Sequence, residues 1–335
     1  MLTKFSVRYK QCKDHHLRYV THSVGISSIM VFLNVVLPVF LIIALGFGIR
    51  RIQFVDKFFL EKISHLAYFV ALPALLIWKI GTASFDLTFN PRLILGSYLA
   101  VAGCGLCAYI AARLLRLPPR EVGSFIQGSF WGNMTYIGLP ILLAAYGEGG
   151  LQRGGVLIAF MTPLINAAAV LALTWPLKGA IDWKSIVDLK KALIANPIII
   201  SCFAGLLLSW FSIPFPAFAV NFLRFLSDLA LPLALIAMGG TLSLEKIKKD
   251  YKATVFACLF KLFLIGGWGW FLFEWLGVKG LDFKVGIILL ACPTAFSSYL
   301  LSTKLGADKS LMSSDIMVST LLSMGTLSFW LWRLG

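Results

Sequence analysis

The chain has 335 residues, 59% hydrophobic and only 13% charged, with a formal net charge of +15 and a mean hydropathy of +0.86. A soluble domain is nearer half apolar and a quarter charged, so the composition argues against a soluble enzyme or nucleic-acid-binding module and for an integral membrane protein. The apolar runs are continuous rather than alternating, so helices rather than barrel strands are expected to cross the bilayer. The Lys and Arg cluster between those runs, where they set orientation.

In chain order, residues 1–27 are polar and basic, with no apolar run, and read either as a disordered tail or as an over-long start, with Met30 then the natural beginning. Ten spans follow, near 28–49, 63–80, 92–115, 122–147, 154–177, 194–213, 219–243, 253–277, 283–304 and 311–333. Pro and Gly punctuate several edges, as in Leu117-Pro118-Pro119 and Pro214-Phe215-Pro216. Residues 178–193, amphipathic over Ile181–Leu193, read as a cytoplasmic linker between 28–177 and 194–335. Ten spans put both termini on one side. The opposite loops hold most of the Lys and Arg outside the tail, including Arg50, Arg51, Lys246 and Lys248. The positive-inside rule therefore places those loops in the cytoplasm and both termini outside the inner membrane. The basic tail opposes that orientation.

Two stretches share a pattern. ALPALLIWKIGTAS (71–84) and ALPLALIAMGGTLS (230–243) agree at eight of fourteen positions. The second span thus matches the seventh. Five spans separate them, an odd number, so the halves have opposite orientations, the arrangement of inverted-repeat secondary transporters. The fourth span should then match the ninth. GNMTYIGLPILLAAYG (132–147) carries Asn133, Thr135 and Pro140, and LLACPTAFSSYLLSTKLG (289–306) carries Pro293, Thr294, Ser297 and Ser298. A mid-span proline removes a hydrogen bond and clashes with a preceding carbonyl. The freed backbone groups must be met by protein, water or ligand. Two such breaks, crossing, would present half-helix N-termini to an anion, with the Asn133 amide and the Thr and Ser hydroxyls as added donors. Isolated prolines such as Pro38, Pro73, Pro163 and Pro232 read as kinks.

Charges inside spans are costly and suggest function. Asp228 and Lys261 are the candidates for ion coupling. The competing readings are a helix-end carboxylate paired with Arg224, and a structural lysine. Cys104 and Cys107 form a CxxC inside a span with no other ligands nearby, and the four His form no constellation, so no metal site is expected. No Walker motif or cofactor fingerprint appears, so neither ATP drive nor a cofactor is expected.

These motifs resemble the auxin efflux carrier family, in its bacterial branch. The resemblance runs from about Val31 to Arg333 and is carried by LPVFLIIALGFGIRR (37–51), GN-x-x-x-x-GLP (132–140) with Tyr146-Gly147, Asn196-Pro197, SDLALPLALIAMGGTL (227–242) and STLLSMGTL (319–327). It implies ten helices in two inverted five-helix repeats, with helices 4 and 9 crossing at breaks. It also implies scaffold and transport parts that move against each other, and a homodimer through the scaffold. Members move organic anions, including auxin and dicarboxylates such as malate or malonate, and the fold is related to the bile acid sodium symporters. Asn133 falls on the family's fourth-helix asparagine and Pro140 on its proline. Where many members carry a ninth-helix Asn, this chain has Ser297, which offers one donor instead of two.

The expectation is an all-α polytopic membrane protein and not an enzyme: a secondary transporter moving a small mono- or dicarboxylate across the plasma membrane by alternating access. Coupling to protons or sodium is open, and a sodium-coupled symporter of the bile acid type is the alternative. A membrane enzyme would need a catalytic constellation within the spans, and a channel would need rows of charge along a pore.

Overall fold

In a low-dielectric solvent every backbone N–H and C=O must be satisfied internally, and helices do this within one segment. The computed structural model describes residues 28–179, 183–242 and 251–335, and these are helical apart from turns and short extended stretches. The helices are α1 (Ile29–Arg51), α2 (Lys57–Gly81), α3 (Pro91–Leu114) and α4 (Pro119–Phe130). They continue as α5 (Leu139–Lys178), α6 (Trp183–Ile194), α7 (Pro197–Trp210) and α8 (Ala217–Thr241). The last are α9 (Tyr251–Trp275), α10 (Gly280–Leu290), α11 (Ser297–Leu305) and α12 (Lys309–Leu334). Among the described residues six helices, α1, α2, α3, α5, α8 and α9, are long and apolar enough to cross a membrane. The chain is a polytopic helical membrane protein. The basic tail, Ser243 of the second repeat stretch, and Lys246 and Lys248 lie outside the described residues.

Several helix starts follow from capping chemistry. Asn90 Oδ1 accepts from the N–H groups of Arg92 and Leu93, and Asn196 Oδ1 does the same for Ile198 and Ile199. Each Asn precedes a proline at the first helical position, where a missing N–H costs nothing. Asp56 and Asp308 cap α2 and α12 through the N–H groups of Phe59 and Leu311, at 2.7 and 2.8 Å.

The prolines at 38, 73 and 140 are accommodated by a shared device rather than by a simple kink. Before each, the helix widens for one turn, at Phe32–Val36, Ala67–Ala71 and Met134–Gly138. In each case the residue just before the proline bonds five residues back: Leu37 to Phe32, Leu72 to Ala67 and Leu139 to Met134. The wide turn absorbs the hydrogen bond that proline cannot make. Pro163 and Pro232 instead lie inside α-helix.

α5 is sharply bent at Gly147, whose φ of 64° and ψ of −156° are not helical. Such angles are open to glycine and strained for other residues. The corner separates a short segment after Pro140 from a long helix ending at Lys178, so the fourth and fifth expected spans meet without a loop.

α1 packs on α8 and α2 packs on α7. The first contact is reciprocal. A Cβ on Gly46 would lie 2.1 Å from the Ile236 carbonyl oxygen, and one on Gly239 would lie 2.0 Å from that of Ile43. Small residues let membrane helices approach backbone to backbone. Arg50 donates to the Gly240 carbonyl near the C-terminus of α8, where a cation complements the helix dipole. Leu41, Phe69, Leu106, Leu207, Phe225 and Phe271 are exposed, an apolar surface that a bilayer would cover.

Candidate functional site

α4 ends at Phe130, and the chain runs extended through Trp131 to Asn133 before turning helical again. α10 ends at Leu290, and residues 291–296 lead to α11. The two non-helical stretches meet as a short antiparallel bridge between Gly132 and Thr294. The Asn133 N–H donates to the Pro293 carbonyl at 2.7 Å, and the Ala295 N–H donates to that of Trp131 at 3.0 Å. Each break thus satisfies part of the other's exposed backbone. Two helix C-termini and two helix N-termini converge there, so partial negative and positive charges lie side by side in an apolar surround.

Asn133 does two things. Its Oδ1 accepts from the Tyr136 N–H at 3.3 Å, capping the helical turn that follows. Its Nδ2 faces the Met238 thioether of α8 at 3.2 Å. Sulfur is a weak acceptor, so the amide donor keeps most of its capacity for a stronger acceptor. Tyr136 reaches across to α2, its hydroxyl 3.4 Å from Ser64 Oγ. The polar edge of the break therefore faces α2 and α8.

The other expected site residues are distributed unequally. Thr135 is half-buried and Ser297 exposed at the first position of α11. Thr294 is buried, its hydroxyl given to the Gly128 carbonyl at 3.1 Å and its N–H to Ser319 Oγ at 3.0 Å. Ser298 is buried too, bonded to the Ala295 carbonyl and near the Met312 sulfur. Both hydroxyls are engaged by the fold. Pro140 does not interrupt its helix: it lies in the first turn of α5, and the break precedes it at 131–133. Pro293 lies in the extended stretch of the second break and supplies its carbonyl to the bridge. Asp228 is exposed on α8 next to Leu229, off the buried face that carries Met238, and forms no ion pair with Arg224. Lys261 is fully buried and donates to the Leu290 carbonyl at the end of α10.

Sequence reading passed over the polar framework behind the bridge. Gln127 Oε1 accepts from Ser302 Oγ at 2.6 Å, and Ser124 Oγ donates to the Asp308 carbonyl at 2.9 Å. Asp315 of α12 is fully buried against Gly128, where a Cβ would meet Oδ2 at 2.5 Å. These contacts join α4 to α11 and α12. The signal was present: an acidic residue inside an apolar span, at Asp315, carries the same presumption of purpose as Asp228.

Helices broken around a polar, capped crossing in an apolar bundle define the class as a membrane transporter. A family model described as "Membrane transport protein" matches residues 31–177 and 182–331. The chain belongs to this family, that of the auxin efflux carriers. It is similar to an uncharacterized transporter of Methanocaldococcus jannaschii, 25% identical over 317 residues that cover 91% of this chain and 99% of the relative. An uncharacterized transporter of Methanothermobacter thermautotrophicus is 23% identical, covering 88% and 96% respectively. A Rhizobium meliloti protein named "Putative malonate transporter" is 24% identical over 316 residues, covering 88% and 93%.

Proposed function

We propose that this transporter is a secondary carrier of a small organic anion, a mono- or dicarboxylate, working by alternating access across the cytoplasmic membrane. The observation that carries the reading is the Asn133 amide, held at a helix break by its own cap and presented to a thioether. A carboxylate would replace that sulfur as the better acceptor and would also sit at the N-terminal end of a helical turn. The name of the Rhizobium meliloti relative agrees with a dicarboxylate.

In this reading ten membrane helices form two inverted five-helix repeats, 28–177 and 194–335. The pairing of α1 with α8 and of α2 with α7 is what such a repeat requires, since first matches sixth and second matches seventh. α1, α2, α7 and α8 form a scaffold, through which a homodimer forms. The bridged helices move against it and carry Asn133 from one side to the other. Both termini face outward.

The test is counterflow. Purified protein in liposomes loaded with unlabelled malonate should transiently accumulate labelled malonate, and Asn133→Ala should abolish this. No accumulation across a panel of mono- and dicarboxylates, with insertion verified, would remove the anion reading.

A further inference from the structure

Taking the carrier reading as given, we infer that Lys261 is a built-in cation at the crossing, standing where a coupled sodium ion would otherwise sit, and that it frees transport from sodium. Half-helix C-termini and unwound carbonyls near mid-membrane are the groups that coordinate sodium in carriers built from broken helices. Here α4 and α10 both end at the crossing, each with last-turn carbonyls lacking helical partners. The Gly128 carbonyl is met by the Thr294 hydroxyl and the Trp131 carbonyl by the Ala295 N–H. The Leu290 carbonyl, the last of α10, is met by the Lys261 ammonium.

That ammonium is held in a built place. The side chain is fully buried and makes no ion pair among the described residues. The titratable groups facing it are the thiols of Cys104 and Cys292. Its hydrogen-bond partner is thus a carbonyl dipole, that of Leu290, and not an ion-paired carboxylate. Gly132, the bridge residue, makes room for it: a Cβ there would lie 3.0 Å from Nζ, 3.1 Å from Cε and 3.3 Å from the Cys292 carbonyl oxygen. A buried charge must be compensated to be tolerated. A tethered ammonium on the last carbonyl of α10 takes the place a bound metal cation would take at such a helix end, and it cannot dissociate.

The experiment measures wild type, Lys261→Ala and Lys261→Met with sodium chloride or choline chloride at equal concentration. Thermal unfolding in detergent needs no substrate. The wild type should melt identically in both salts, and Lys261→Ala should melt a few degrees higher in sodium. In liposomes, wild-type malonate exchange should be the same in both salts. Lys261→Ala should lose exchange in choline and recover part of it in sodium. Lys261→Met, which fills the space without charge, should be inactive in both. The inference is overturned if wild-type exchange or stability requires sodium. It is also overturned if a folded Lys261→Ala answers sodium and choline alike, or if Lys261→Met exchanges normally without sodium. Should neither variant fold, the wild-type comparison alone decides. Absence of malonate exchange in either salt would count against the carrier reading, whereas exchange seen only in sodium would count against this one.

Discussion

The backbone N–H of Asn133 donates to the carbonyl of Pro293, joining the break in one half of the chain to the break in the other at 2.7 Å. This bond and its neighbour from Ala295 turn two interrupted helices into one crossing. Asn133 therefore holds three positions at once: bridge donor through its backbone, cap through Oδ1, and, through Nδ2, a donor met by the weakly accepting Met238 sulfur. Substitutions can separate the last two.

Asn133→Asp keeps the capping oxygen and loses the amide donor, adding a negative charge. Its melting temperature should fall, since the helical N-terminus offsets only part of the cost of a buried carboxylate, and malonate exchange should be lost. Asn133→Ala should lose exchange and also about 1 kcal/mol of stability, the usual cost of an N-cap. Paired exchange and thermal-unfolding measurements check both. Exchange by Asn133→Asp at the wild-type rate would exclude the amide as an anion contact.

Gly132→Ala puts a methyl group against Nζ and Cε of Lys261 and against the Cys292 carbonyl. The lysine stem is buried and the carbonyl is fixed, so neither can yield freely. About 1–3 kcal/mol of destabilisation is expected from such overpacking, with exchange strongly reduced. Chemical denaturation in mild detergent reads the first effect and liposome exchange the second.

The α1–α8 contact predicts a paired result with an internal control. Gly46→Ala and Gly239→Ala each drive a methyl into a backbone carbonyl of the facing helix. Each should cost about 1–3 kcal/mol, because helices rather than side chains must separate. Gly48, two residues beyond Gly46 and so on another face of the helix, has open space around its Cα. Gly48→Ala should be neutral or slightly stabilising, given the better helix propensity of alanine. Equal melting temperatures for all three variants would contradict a tight contact.

Ser64 of α2 and Tyr136 of the first break touch across the proposed moving boundary. With the exposed Cys107 replaced by serine, Ser64→Cys with Tyr136→Cys, joined by a short bifunctional thiol reagent, should stop exchange, and a reductant should restore it. Undiminished exchange in the cross-linked protein would mean that α2 and the crossing do not separate during transport.

Much of the helical layout was legible in the sequence, since continuous apolar runs bounded by Pro, Gly and basic residues leave little choice in a bilayer. The same chain also indicated its two polar breaks and singled out Asn133. What it misplaced was the use of individual groups. Pro140 marked the right neighbourhood, but a wide turn let it enter a helix, and the actual interruption lies at the preceding Trp131–Asn133. Thr294 and Ser298 had the right chemistry and the wrong direction, their hydroxyls turned into the polar framework with Gly128 and Met312. Asp228 and Lys261 were both candidates as intramembrane charges, yet one lies on an exposed helix face and the other is fully buried beside the bridge residue Gly132. By itself, then, the sequence determined the membrane class, the helical segments and the neighbourhoods in which regular hydrogen bonding fails, because these depend on local hydropathy and backbone chemistry. The tertiary structure alone decided which freed group faces which partner, because a hydroxyl, an amide or an ammonium is spent or available only according to what another helix, far off in the chain, brings within reach.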